Sequence, residues 1–109
     1  MLKVKERNFK PQVQVHLEEL VPSNNFYREL EAKVDLSFVR EWTSSYYSKM
    51  GRGSIDPVVF FKLQLIMYFE GIRSERDLME QVKLNLAYRW YIGYDLDETV
   101  PDHSGNPLN

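Results

Sequence analysis

The sequence predicts an all-α fold: a compact bundle of about five short helices with a helix-turn-helix-like pair near the C-terminus. Three observations carry the prediction. Apolar residues recur at spacings of three and four along most segments, and no stretch shows the strict alternation of a half-buried strand. Cap-type residues (Asn25, Asp35, Asp56, Ser74 and Asn85) stand ahead of the periodic runs. Gly71 and Gly93 bracket a segment that reads as turn, helix, tight turn, helix and stop.

Residues 1–14 show no clean periodicity. Lys3, Lys5, Arg7 and Lys10 stand against Glu6, and Pro11 follows, so this stretch reads as an extended basic arm. Such an arm is either a solvated terminus or a segment that lies on phosphates or in a minor groove. The helical domain then spans residues 15–94. Leu17 to Val21 forms a short turn that Pro22 ends, and Ser23, Asn24 and Asn25 supply cap and turn chemistry. A helix from Phe26 to Val34 carries Phe26, Tyr27, Leu30 and Val34 on its apolar stripe. Asp35 caps the next, whose stripe is Leu36, Val39, Trp42 and Tyr46, with Arg40, Glu41 and Ser44 off it. Met50-Gly51-Arg52-Gly53 breaks the pattern. It reads as an interhelical loop, the alternative being backbone that approaches a phosphate.

Asp56 followed by Pro57 is a strong helix start. From Val58 to Phe69 the chain is apolar apart from Lys62 and Gln64, which predicts a central helix buried on all sides. Ser74 caps the next helix, with Asp77 at the capping-box position and Leu78 and Val82 on one face. Asn85 caps again. At about 100° per residue, Leu86, Ala87, Trp90 and Tyr91 form an apolar face, while Tyr88, Arg89 and Ile92 turn outward. Gly93 ends the helix. Residues 95–109 form an acidic linker and polar tail with no Lys or Arg.

Bulk properties bound the function. Hydrophobic residues make up 43% of the 109-residue chain, which excludes a disordered segment and suffices for one domain. There is no cysteine, so disulfide frameworks and thiolate metal sites are excluded, in keeping with a cytoplasmic protein. The N-terminus is no signal peptide, and no apolar run reaches the ~18 residues of a membrane span. The net charge of −2 weighs mildly against nucleic acid as a whole, yet the charge is uneven, basic at the front and acidic at the back. Asp95, Asp97, Glu98, Asp102 and His103 are metal-ligand types, but their spacing fits no metal loop, so no metal and no cofactor are expected. His16 has no visible partner, and Ser104 beside His103 does not make a triad.

Several separate blocks carry a family resemblance. They are Val34-Asp35-Leu36-Ser37-Phe38-Val39-Arg40-Glu41, Gly51-Arg52 with Ser54-Ile55-Asp56-Pro57-Val58-Val59, Gly71-Ile72-Arg73-Ser74-Glu75-Arg76, Asn85-Leu86-Ala87-Tyr88-Arg89-Trp90 and Pro101-Asp102-His103-Ser104. In this order they resemble the N-terminal domain of bacterial insertion-sequence transposases of the InsH type, over nearly all of residues 12–104. The resemblance implies a helical domain that recognises the terminal inverted repeats of the element. It also implies a DDE catalytic core after the Asp-His-Ser block. Here Gly105-Asn106-Pro107-Leu108-Asn109 follows instead, and Gly53 replaces a Pro common in the family loop. The expectation is a chain without the catalytic core, hence no enzyme: a truncated copy, a frameshifted remnant or the first domain alone.

The candidate DNA-binding residues are Arg73, Arg76, Lys83, Asn85, Tyr88 and Arg89. Arg89 suits bidentate contact with guanine, the alternative being a solvated ion pair. Arg73 and Arg76 flank a helix start, where backbone N–H groups and guanidinium groups suit a phosphate; alternatively Arg76 pairs with Glu80 four residues on. Lys83 and Asn85 sit in the turn between the two helices. The expected partner is double-stranded DNA, and the pairing of transposon ends leaves a homodimer open. The alternatives are a helical dimerisation or docking module without DNA contact, a small metal-dependent nuclease built on the acidic tail, and a remnant that only folds.

Overall fold

A computed structural model describes residues 2–50 and 55–101, with the side chains of residues 45–50 outside the description. The described residues form six helices and no strand: α1 Leu17–Leu20, α2 Phe26–Lys33, α3 Phe38–Met50, α4 Pro57–Glu70, α5 Glu75–Leu84 and α6 Leu86–Ile92. The all-α expectation therefore stands, with the short turn at Leu17 resolved as a helix of its own. The loop at Gly51–Ser54 and the Asp102–Asn109 tail lie outside the described residues.

The caps explain the boundaries. Asn25 accepts from the Tyr27 N–H at 2.9 Å, Asp56 from the Val58 N–H at 2.9 Å and Ser74 from the Asp77 N–H at 3.1 Å. Asp35 also accepts a backbone N–H, but from Ser37 at 2.9 Å. The resulting turn delays α3 to Phe38 and leaves Leu36 outside it. Arg40 then reaches from α3 to the α4 cap and grips both oxygens of Asp56, at 2.7 Å for the shortest contact. Gly71 and Gly93 end α4 and α6 in the left-handed region, at φ 68° and 86°, where a side chain would be strained.

The core gathers Tyr27, Val59, Leu63, Ile66, Leu78, Met79, Val82, Tyr88, Tyr91, Ile92 and Val100. α6 packs against α1, α2, α4 and α5, and α4 against α3, α5 and α6. Three facing expectations are corrected here. α4 is not buried all round: Val58, Val59, Leu63 and Ile66 are buried, but Tyr68 is 77% exposed and Phe61 and Phe69 also reach the surface. Helices cover only one side of α4, and composition cannot say how many neighbours a helix has. On α3, Val39 is fully buried while Trp42, expected on the same stripe, is 73% exposed. On α6 the inward face is Tyr88, Tyr91 and Ile92. Those three also sit at helical spacing, and they outcompete Leu86 because two phenol rings find aromatic neighbours inside.

Tyr27 is the centre of that aromatic group, with ring centroids 5.4 Å from Tyr88 and 5.3 Å from Tyr91. Its hydroxyl donates to Glu70 at 2.6 Å. Burial, and then the Glu70 carboxylate, push the Tyr27 phenol well above its ordinary value, and Tyr88 shifts the same way. Burial pushes Tyr91 up to about 12. All three fold in their neutral form, so their contribution to stability is complete below the ordinary phenol value of 10 and is lost as pH rises beyond it. Urea denaturation midpoints are expected to be lower at about pH 11 than at about pH 8, and equal midpoints would contradict this packing. The Tyr91 hydroxyl is buried without a hydrogen-bond partner among the described residues. Tyr91→Phe is therefore expected to raise stability by about 1 kcal/mol in the same measurement, since it removes a desolvated donor and keeps the ring.

Candidate nucleic-acid interface

α5 and α6 are joined by one residue. Asn85 donates its backbone N–H to the Gln81 carbonyl at 2.9 Å, ending α5, and accepts from the Tyr88 N–H at 3.0 Å, starting α6. Its φ of −105° and ψ of 116° are extended, which forces the change of direction. Its amide oxygen is therefore engaged in capping.

On α5 the inward residues are Leu78, Met79 and Val82. At 100° per residue, Arg76 and Lys83 fall within about 20° of each other on the outward flank, two turns or ~10 Å apart along the axis. Both are exposed, as is Arg73 just ahead of the Ser74 cap. No ion pair joins Arg76 to Glu80, and among the described residues none of these three cations has an acidic partner. Residues 2–16, which include the described part of the arm, have no regular structure and are exposed throughout, so Lys3, Lys5 and Lys10 are open to solvent, and Arg7 lies over the Phe9 ring at 5.3 Å.

The other two candidates sit elsewhere. Tyr88, expected outward, is 7% exposed and packs on Tyr27. Arg89 spends its guanidinium on backbone carbonyls, donating to Lys83 at 3.1 Å, Asp95 at 2.9 Å and Glu98 at 3.0 Å. It ties the end of α5 to the segment after α6, a positioning contact with no carboxylate in it. Arg73, Arg76 and Lys83 thus share the outer surface, while Asn85, Tyr88 and Arg89 hold the frame beneath.

Two further cations escaped the sequence reading. Arg28 donates to the Val21 carbonyl at 3.0 and 2.9 Å, to the Glu18 carbonyl, and to the Glu18 carboxylate at 2.7 Å. It also lies 4.5 Å over the Trp90 ring, and Trp90 Nε1 donates to the same carboxylate at 2.8 Å. Lys62 donates to Glu31 at 2.6 Å and to the Tyr91 carbonyl near the end of α6 at 3.0 Å. Nothing in the sequence pairs Arg28 with Glu18 and Trp90. Lys62 did leave a signal: a lone cation in an apolar helix needs a partner to be half-buried there. In the acidic segment, Glu98 accepts from the Asp95 N–H at 2.9 Å and Asp95 from the Leu96 N–H at 2.7 Å, so these acids build a turn. Among the described residues no three His, Asp or Glu side chains gather as a metal site. Asp102, His103 and Ser104 lie outside them.

With this geometry in place, comparison with known families gives one clear result. The model of the transposase domain family (DUF772) matches residues 15–105. The chain belongs to that family, as the resemblance to the N-terminal domain of an insertion-sequence transposase implies. No curated protein and no solved structure matches it. Among the described residues no helix is long and apolar enough to cross a membrane.

Proposed function

We propose that this chain is the DNA-binding, end-recognition domain of an insertion-sequence transposase, and that the cutting and joining chemistry belongs to a catalytic core outside it. The observation that carries the reading is the exposed cations at α5, Arg73 just ahead of it and Arg76 and Lys83 on its outward flank, which have no acidic partner among the described residues. Arg73 and Arg76, at the positive end of α5, suit phosphate oxygens. Lys83 extends the same contact line two turns along, and the arm adds sequence-independent attraction. Asn85, Tyr88 and Arg89 act by fixing how α5 is presented.

The test is fluorescence-anisotropy binding to a duplex from the terminal repeats of the parent element and to a scrambled duplex, across a salt series. Repeat-selective binding that weakens with salt is expected. Arg76→Ala and Lys83→Ala are each expected to weaken binding roughly 3- to 10-fold and to lower the salt slope by about one. A folded sample that binds neither duplex at low salt would overturn the reading. One observation favours a second reading, a docking module: Phe38 and Trp42 on α3 are 56% and 73% exposed, with rings 6.4 Å apart. Self-association lost in Trp42→Ala, together with absent DNA binding, would favour it.

A further inference from the structure

The C-terminal end of α4 carries aromatic surface that the bundle leaves bare. Tyr68 is 77% exposed, Phe26 49% and Phe69 46%. The rings form one connected set, Phe26 to Phe69 at 5.1 Å and Phe69 to Tyr68 at 5.4 Å, both edge-to-face. The set is anchored from inside. Phe26 meets Tyr27 edge-on at 5.1 Å, and the Tyr27 hydroxyl holds the carboxylate of Glu70, the acid closest in sequence to the rings. The turn after α4 leads directly to two cations. Gly71 adopts φ 68° and the Ile72 N–H returns to the Met67 carbonyl at 3.0 Å, so Arg73 leaves beside the last turn and Arg76 follows in α5.

Exposed rings followed closely along the chain by exposed cations, which have no acidic partner among the described residues, match a ligand with flat apolar faces and a polyanionic backbone. Single-stranded nucleic acid has both, and base stacking on aromatic side chains tolerates any sequence because every base offers a π-face. A fully paired duplex hides those faces except at its ends. We propose that Tyr68, Phe69 and Phe26 form a stacking platform for an unpaired base, on a strand whose phosphates run to Arg73 and Arg76. The proposal rests on the DNA-binding reading only in sharing these two arginines. It adds a distinct ligand, the single-stranded end or junction of a duplex.

The experiment uses the full chain and three probes: a blunt duplex, the same duplex with a short overhang carrying 2-aminopurine, and the overhang strand alone. Stacking quenches aminopurine fluorescence. The expected result is quenching on binding and about fivefold tighter binding of the overhang duplex than of the blunt one. Tyr68→Ala should abolish both effects and leave blunt-duplex affinity within about twofold, and Tyr68→Trp should restore them. Circular dichroism checks that each variant is folded. Unchanged quenching in Tyr68→Ala, equal affinity for blunt and overhang duplexes, or self-association that Tyr68→Ala removes would each overturn the platform. Tyr68-dependent quenching with the single strand, without duplex binding, would support the platform while overturning the duplex reading.

Discussion

Ile66→Ala is expected to destabilise the domain by about 3–4 kcal/mol, the largest single effect among these predictions. Ile66 is fully buried on α4, in the cluster that α5 and α6 complete. Truncation removes three carbons from water-free surroundings and leaves a void that the rest of the cluster can fill only by shifting. A domain of this size has about 5–10 kcal/mol in total, so a large share would be lost. The check is urea denaturation, with a lower midpoint at unchanged slope. Tyr68→Ala on the same helix supplies the contrast. Its ring is largely in solvent, so a change within about 0.5 kcal/mol is expected. A cost near 1 kcal/mol for Ile66→Ala would mean that the α4–α5–α6 core is loosely packed.

Arg28→Ala is expected to cost about 3 kcal/mol. The side chain joins α1, α2 and α6 through the carbonyls of Val21 and Glu18, the Glu18 carboxylate and the Trp90 ring. Hydrogen bonds with a charged partner contribute about 1.5–3 kcal/mol and ring stacking about 1, but here they share one side chain and do not sum. Arg28→Lys keeps the charge and loses the planar fork, and should recover less than half of the loss. Hydrogen bonds from Arg28 and Trp90 hold the Glu18 carboxyl below its ordinary value. Its contribution is thus present above the usual carboxylate range and is lost as pH falls through the lowered value. The difference between wild type and Arg28→Ala should therefore narrow in acid, by the part that the Glu18 carboxylate supplies. A constant difference between them from neutral pH into acid would place the effect in the carbonyl and ring contacts alone.

The fold was legible because its signals are local. Asn25, Asp56, Ser74, Asn85, Gly71 and Gly93 act within two or three residues of themselves, and each performs the cap or stop that its type suggests. Facing was less legible. α6 is seven residues long and apolar at most positions, so two stripes compete, and the choice depends on Tyr27 and Glu70, far away in sequence. The candidate site divides along the same line. Arg73 and Arg76 follow from a helix start and are exposed, while the carbonyls that engage Arg89 belong to a turn whose path no spacing rule specifies.

The single-residue joint at Asn85 bears on how this lineage can vary. The residue closes one helix and opens the next with no spare length between them. A substitution there removes a cap, a loss that the remaining contacts can absorb. An added or deleted residue is another matter. It would rotate α6 by about 100° and carry Tyr88, Tyr91 and Ile92 together out of register with α2 and α4. Length at this point is thus under tighter constraint than identity: related chains can drift in sequence across the joint, but an insertion or deletion there would have to be matched by a rebuilt aromatic centre.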